Sequence, residues 1–221
     1  MRREGVPDSK VRLVGNVMID TLRRELPRAR ARGTAARLGL GERAYGVLTM
    51  HRPSNVDDRA TLRELIELFH ELAAALPLVF PVHPRTREAA RQAGCGELLD
   101  GGSGHLLCLP PLPYLDTLAL VAGARVVLTD SGGLQEETSV LRIPCLTLRE
   151  NTERPVTVEL GTSRLVGKSA DRIRAAFKDV LRGDWPEGND IPYWDGRAGP
   201  RVATAVAEWL GVGGRAPGCS R

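Results

Sequence analysis

The 221-residue sequence is poor in aromatic side chains, with only three each of Phe, Trp and Tyr. Such side chains stack on the bases of single-stranded nucleic acids, so their scarcity argues against that kind of partner. The net charge is +4, but the basic residues are nearly all Arg and are interspersed with acids. This mixing is typical of solvated helix faces. We therefore expect no nucleic-acid partner.

Closely spaced cysteines are also missing. The four cysteines, at positions 95, 108, 145 and 219, lie far apart, and no C-x-x-C pair occurs. Neither a zinc site nor a disulfide framework is predicted, which favours a reduced, cytoplasmic setting. No histidine pair has metalloprotease spacing, so metal binding has no support. We expect neither a metal nor another cofactor.

No apolar run approaches the roughly 18 residues that a membrane-spanning helix needs. The residues after Met1 lead into no apolar region typical of a signal peptide. No membrane partner is therefore expected. A G-x-G-x-x-G turn after a predicted strand is also missing, which leaves a dinucleotide-binding fold poorly supported.

Short β-type apolar runs alternate with longer amphipathic segments along the chain, a pattern typical of a parallel sheet covered by helices. We predict an α/β, Rossmann-like parallel sheet with helices on both faces. Strands are expected near residues 11–14, 45–50, 78–82, 105–109, 125–129, 143–146 and 163–166. The clearest helix covers Arg59 to Ala75, with Asp57 or Asp58 as its cap, and others begin near Asn16, Arg85, Tyr114, Gly133, Ser169 and Pro200.

Residues 129–137 carry the most informative motif, because an apolar run is followed there by Ser131-Gly132-Gly133 and a helical pattern. The turn leaves backbone N–H groups unobstructed at a helix start, where the helix dipole favours an anion. We interpret the turn as a diphosphate cradle, with a purely structural turn as the alternative. A serine nucleophile is disfavoured, since a nucleophile elbow requires G-x-S-x-G.

Two acids follow the turn. Glu136 is interpreted as an acid that complements the helix dipole at its start. Glu137 lies four residues after Gly133, on the side expected to face the cleft. One carboxylate there could accept both hydroxyls of a ribose whose phosphates lie on the turn.

Ligands of such sheets bind beyond the carboxyl ends of the strands. His51 and His83 each end a predicted strand there, and an imidazole can hydrogen-bond a phosphate or a leaving oxygen. Surface positions without a ligand are the alternative for both. Five arginines surround the region as candidate phosphate donors, some of which are expected to be salt-bridged: Arg52, Arg85, Arg87, Arg149 and Arg154.

Six segments together resemble one family, the non-hydrolysing UDP-N-acetylglucosamine 2-epimerases, whose two-domain fold is glycosyltransferase-B-like. The segments are 14–20, 50–57, 81–87, 129–137, 149–155 and 161–167. Their order and spacing agree over roughly residues 11–201. The resemblance implies that this chain is the second domain of that architecture and holds the uridine nucleotide.

Carried over position by position, the resemblance implies these roles. Ser131, Gly132 and Gly133 would hold the diphosphate and Glu137 the ribose. His51 would be catalytic and would lie against the phosphates near the reacting sugar. The remaining positions are Arg154 on the nucleotide, Leu112 and Thr117 near the uracil, and Arg52 and His83 at a second, regulatory nucleotide-sugar site.

Members of the family interconvert UDP-N-acetylglucosamine and UDP-N-acetylmannosamine by eliminating UDP and adding it back. The carboxylates for proton transfer at C2 come from the first domain, which this chain is expected to lack. Ser54 also replaces a Glu that is usual in the family motif. The chain is therefore interpreted as the C-terminal, nucleotide-binding half of an epimerase. The alternatives are an inactive UDP-sugar-binding module that needs a partner half, and the nucleotide-binding half of a retaining glycosyltransferase. The segments at 51–55 and 149–155 argue against the glycosyltransferase.

The domain prediction follows from this interpretation. Residues 1–24 would be the end of a missing first domain and the interdomain crossover, residues 25–210 the UDP-sugar-binding domain, and residues 211–221 a disordered tail. Expected partners are UDP-N-acetylglucosamine or UDP, a separate N-terminal half, and a second copy in a homodimer.

Overall fold

The computed structural model describes residues 5–100 and 104–211. Most of the predicted tail, residues 212–221 with Cys219, lies outside the described residues. The chain divides into two compact units. One combines the described residues up to Arg24 with those from Pro192 onward, and the other is Glu25–Ile191.

The larger unit contains a six-stranded sheet in which every paired neighbour is parallel. Its strands are β1 (Gly46–Thr49), β2 (Leu78–Pro81), β3 (Leu106–Leu109), β4 (Val126–Thr129), β5 (Cys145–Thr147) and β6 (Ser163–Leu165). The spatial order is β3-β2-β1-β4-β5-β6. The order therefore reverses between β1 and β4, and ligands of such sheets bind where this reversal occurs.

Eleven α-helices lie in the described part of the chain. They are α1 (Val17–Ala31), α2 (Thr34–Arg37), α3 (Pro53–Val56), α4 (Arg59–Ala75), α5 (Pro84–Gln92), α6 (Glu97–Asp100), α7 (Tyr114–Gly123), α8 (Gly132–Leu141), α9 (Pro155–Glu159), α10 (Ala170–Arg182) and α11 (Ala198–Trp209). Helix α4 has the predicted bounds, and Asp58 is its cap, accepting a 2.8 Å hydrogen bond from the Thr61 N–H. The short helices α2, α3, α6 and α9 were not predicted.

The strand predicted at residues 11–14 is wrong, because these residues belong to no helix or strand. The Leu13 side chain is 72% exposed. A short apolar run forms a strand only where a neighbouring strand and a core can cover it, and apolar content alone does not reveal either. The other six predicted strands are confirmed.

The core of the larger unit lies on both faces of the sheet. Leu48 and Leu128 face one apolar cluster, which includes Phe69 of α4 and Phe177 of α10. Their sequence neighbours Val47 and Val127 face the other cluster, which includes residues of α7 and α8. Successive side chains of a strand point to opposite faces, so β1 and β4 bury both. The predicted α/β architecture with helices on both faces is confirmed.

Gly161, just before β6, has no room for a side chain. A Cβ there would lie 2.6 Å from the Thr157 carbonyl oxygen and would also overlap the Ser139 hydroxyl. We expect Gly161→Ala to destabilise the fold by about 2 kcal/mol, because the backbone of α9 must shift to make space. In Gly41→Ala, by contrast, the nearest atom would be an ordinary 3.5 Å away. Urea denaturation compares the two, and equal midpoints would contradict the prediction.

Candidate functional site

The carboxyl ends of β1 and β4 are joined by their last side chains. The Thr49 and Thr129 hydroxyls are 2.6 Å apart, and Thr129 Oγ1 also accepts a 3.0 Å hydrogen bond from the Ser131 N–H. The two loops that follow these strands therefore start side by side. They carry the predicted site residues His51 and Ser131.

The Ser131-Gly132-Gly133 turn has the predicted form, with Ser131 as the N-cap residue and α8 starting at Gly132. The Ser131 amide is already used by Thr129, whereas Gly132 and Gly133 occupy the first turn, where N–H groups have no partner within a helix. The nearest atoms to a Cβ at these glycines would be 4.0 and 3.9 Å away. Neither glycine is therefore closely covered by another part of the described chain.

Asp130 links the loop after β1 to the loop after β4. It is fully buried, and its Oδ2 accepts hydrogen bonds from the His51 N–H (2.9 Å), the Arg52 N–H (2.7 Å) and the Asn55 side-chain amide (3.0 Å). Its Oδ1 lies 3.0 Å from Nδ1 of His51. Burial acts to raise the pKa of Asp130, but the nearby His51 side chain and the hydrogen bonds from both backbone amides outweigh it, so the pKa is lowered. Sequence reasoning missed Asp130 and Asn55.

The two predicted histidines lie next to each other. The ring centroids of His51 and His83 are 5.3 Å apart. His83 caps α5, because its Nδ1 accepts a 3.1 Å hydrogen bond from the Arg85 N–H. The His51 side chain is 37% exposed. The structure thus brings together two strand-end histidines that are 32 positions apart in the sequence.

Glu136 and Glu137 differ sharply in their partners although each is only 5% exposed. Glu136 pairs with Arg154, whose Nε lies 2.5 Å from a carboxylate oxygen. Glu137 accepts a 3.2 Å hydrogen bond from the Tyr114 hydroxyl. Burial raises the pKa of Glu137 to about 7, with the Tyr114 hydrogen bond opposing the shift and the charge of Glu136 adding to it. Tyr114, at the start of α7, was also missed.

The loop between β5 and α9 is tied to α8 through Gln135. The Thr152 hydroxyl donates a 2.7 Å hydrogen bond to the Gln135 side-chain oxygen, and the amide nitrogen of Gln135 donates to the Ser131 carbonyl at 3.2 Å. This network positions Arg154, two residues after Thr152, beside the Ser131 turn.

Four of the five candidate phosphate arginines are salt-bridged, which confirms that some of them serve internal pairs. The pairs are Arg85 with Asp57, Arg87 with Asp100, Arg149 with Glu153 and Arg154 with Glu136. Arg52 differs, since its Nε is buried without a hydrogen-bond partner among the described residues.

Leu112 and Thr117 lie where β3 leads into α7. Leu112 packs against the apolar cluster that contains Val127 and Leu134, and the Thr117 N–H donates a 3.0 Å hydrogen bond to the Pro113 carbonyl. Within residues 5–100 and 104–211, no hydrogen bond joins either of them to His51 or to the Ser131 turn.

The described residues contain neither a metal-binding cluster nor a membrane-spanning helix. No group of three or more His, Cys, Asp or Glu residues is arranged to hold a metal ion there. No helix in the same part of the chain has the length and apolar character needed to cross a membrane.

Known proteins with similar sequences belong to one family. The profile described as UDP-N-acetylglucosamine 2-epimerase matches residues 1–207. The protein of that name from Methanocaldococcus jannaschii is 32% identical over 207 residues, covering 90% of this chain and 55% of that protein. The one from Methanococcus maripaludis is 32% identical over 211 residues, covering 92% and 56%.

Solved structures agree. The crystal structure of the M. jannaschii epimerase in complex with UDP-GlcNAc and UDP matches with a TM-score of 0.82 and 32% identity, covering 94% of this chain and 57% of that one. The S. aureus MnaA structure with UDP matches with a TM-score of 0.80 and 25% identity, covering 100% and 59%. The chain thus spans a little over half the length of these relatives, and it belongs to the UDP-N-acetylglucosamine 2-epimerase family.

Proposed function

We propose that this chain is the nucleotide-binding half of a UDP-N-acetylglucosamine 2-epimerase, which interconverts UDP-N-acetylglucosamine and UDP-N-acetylmannosamine by eliminating UDP and adding it back. The observation that carries the proposal is the open helix start at Gly132 and Gly133, with the carboxylate of Glu137 one turn further along α8. Relatives that match most of this chain are named as such epimerases, and two matched structures contain UDP.

In this proposal the diphosphate lies on the first turn of α8. The amides of Gly132 and Gly133 and the helix dipole would stabilise the charge that develops as UDP departs. Arg154 lies beside Gly132 and would exchange its ion pair with Glu136 for the diphosphate. His51 would contact the phosphates near the reacting sugar and act as the catalytic residue from this half.

The remaining nucleoside contacts follow from the same placement. Ionised Glu137 would accept the two ribose hydroxyls, since a carboxylate offers two acceptor oxygens. Leu112, between β3 and α7, and Thr117, in the first turn of α7, would lie near the uracil.

We further propose that Arg52 and His83 bind a second, regulatory nucleotide sugar. Two observations support this role. The buried Nε of Arg52 has no hydrogen-bond partner among the described residues. The His83 ring lies beside the ring of the proposed catalytic His51. A ligand bound to His83 would therefore change the surroundings of His51.

Proton transfer at C2 requires acid and base groups at the sugar, and we propose that a separate N-terminal half supplies them. The chain covers only 55% of the M. jannaschii relative. In the smaller unit, Leu13, Trp209 and Leu210 are 72%, 83% and 59% exposed. A homodimer is the other assembly that we propose.

An activity assay tests this division of labour. We expect the purified 221-residue chain not to interconvert the two UDP sugars, and addition of an N-terminal epimerase half to restore turnover. Calorimetry with UDP on the chain alone accompanies the assay. Epimerisation by the chain alone would contradict the need for a partner half.

A binding module without turnover is the second candidate, and Ser54 favours it. The family motif usually carries Glu at this position, where Ser54 is exposed at the start of α3. If the module interpretation is right, UDP binds the chain, but no N-terminal half restores activity. The variant Ser54→Glu then distinguishes a lost catalytic side chain from a missing partner half. If turnover returns in this variant, the substitution at position 54 is the cause of the inactivity.

A further inference from the structure

We infer that Asp130 is a positioning residue that holds His51 in the tautomer with its proton on Nδ1 and so directs Nε2 toward the bound ligand. Asp130 is fully buried, so it acts through other groups. The identity of the ligand rests on the proposed function. The tautomer of His51 does not depend on that proposal.

The two oxygens of Asp130 have separate tasks. Oδ2 accepts all three hydrogen bonds from the loop after β1, given by the His51 N–H, the Arg52 N–H and the Asn55 side chain. Oδ1 is buried without a hydrogen bond in the described part of the chain, and Nδ1 of His51 lies 3.0 Å from it. One oxygen therefore anchors the loop, and the other faces the imidazole.

The tautomer follows from the chemistry of the carboxylate. An ionised carboxylate only accepts hydrogen bonds, and three donors on Oδ2 favour the ionised form. A proton on Nδ1 of His51 supplies the donor that the buried Oδ1 otherwise lacks, so the tautomer with its proton on Nδ1 is favoured. In a neutral imidazole the other nitrogen then carries the lone pair, and in a charged one it carries an N–H.

This arrangement serves the departing diphosphate. A carboxylate behind an imidazole orients the ring, as in the serine-protease triad. Charged His51 would donate from Nε2 to a phosphate oxygen. When the phosphate leaves, Asp130 keeps the ring in place, because the Oδ1 contact does not involve the ligand.

A loop anchor alone is the competing interpretation, and Asp130→Asn separates the two. The amide oxygen of the new side chain can keep the three donors that now bind Oδ2. Its NH2 group then faces Nδ1 of His51. Because an N–H on Nδ1 would face this NH2 donor, the imidazole proton must move to Nε2. In the opposite amide orientation the NH2 group would face the three donors that now bind Oδ2. This orientation is excluded, because donors cannot hydrogen-bond to a donor.

The experiment is long-range ¹H–¹⁵N NMR of the histidine rings in the whole chain at pH 8, with His51→Gln used for assignment. We expect the Nδ1–H tautomer in the wild type and the Nε2–H tautomer in Asp130→Asn. Asn55→Ala is the matched control, because it removes one donor from Oδ2 and leaves Oδ1 untouched. That variant should keep the wild-type tautomer.

Two results would overturn the inference: an Nε2–H tautomer in the wild type, or an unchanged tautomer in Asp130→Asn. The wild-type spectrum decides the first even if the variant does not fold. UDP calorimetry is read separately, and we expect Asp130→Asn to weaken UDP binding about tenfold, the size of a hydrogen bond to a charged group. Absence of UDP binding by the wild type would refute the proposed function and leave the tautomer result standing.

Discussion

Replacing Glu137 with Gln should raise the free energy of unfolding at pH 8 by about 3 kcal/mol, and the gain should disappear near pH 4. Burial raises the pKa of Glu137 from 4.5 to about 7. The folded chain therefore holds a proton that the unfolded chain releases at a lower pH. The stability that this proton contributes is complete below the unfolded pKa and is lost as the pH rises through about 7.

Glutamine is neutral at every pH and keeps the shape of the protonated acid, so it avoids the cost of a buried charge above pH 7. Guanidinium denaturation of both proteins between pH 4 and pH 8 measures the difference. Glu159→Gln is the control, because it makes the same substitution at an exposed position and leaves Glu136 and Glu137 unchanged. A constant difference between wild type and Glu137→Gln across this range would show that the buried carboxylate is not the cause.

The same variant should bind UDP more weakly at pH 8, although it is more stable. A glutamine side chain offers one acceptor oxygen where the carboxylate offers two. The unfavourable burial of Glu137 is then explained by its proposed task at the ribose, since binding sites commonly retain groups that reduce stability. Gains in both stability and affinity would separate Glu137 from the nucleotide.

The sequence indicated the elements of the fold well because each pattern is local. Helix α4 repeats apolar residues at helical spacing and starts with a capping Asp, and its predicted bounds are those of the structure. The apolar run at residues 11–14 has the same composition as a strand but no partner strand. Whether such a run joins a sheet depends on distant residues that a local pattern does not contain.

The side chains that meet across the site are determined by the register in which the strands pair. Asp130 contacts the loop at 51–55 only because Thr49 pairs with Thr129, a match between residues 80 positions apart. Tyr114 reaches Glu137 from the start of α7. The one available signal for Asp130 was an acid directly after a buried strand, next to the Ser131 turn. His51, His83 and Ser131 thus follow the ends of β1, β2 and β4 as predicted, whereas their supporting contacts required the structure.

Replacing Ser131 with Tyr should abolish UDP binding to the chain, by our proposal that the nucleotide lies on the first turn of α8. The Ser131 side chain makes no capping hydrogen bond, so the fold does not depend on it. A tyrosine ring would extend into the open space beside Gly132 and Gly133 and exclude the diphosphate from their amides.

Ser131→Ala is the control that separates the hydroxyl from the backbone. If the amides of Gly132 and Gly133 carry the binding, loss of one neutral hydroxyl in Ser131→Ala should weaken UDP affinity only about fivefold. Ser131→Tyr should weaken UDP affinity by on the order of 100-fold or more, because the contacts to the diphosphate are lost together. Calorimetry with UDP measures both, and thermal melting checks that both variants fold. Equal affinity of Ser131→Tyr and wild type would place the nucleotide elsewhere. A large loss in Ser131→Ala alone would shift the binding from the helix amides to the serine hydroxyl, since that variant leaves the space before the helix open.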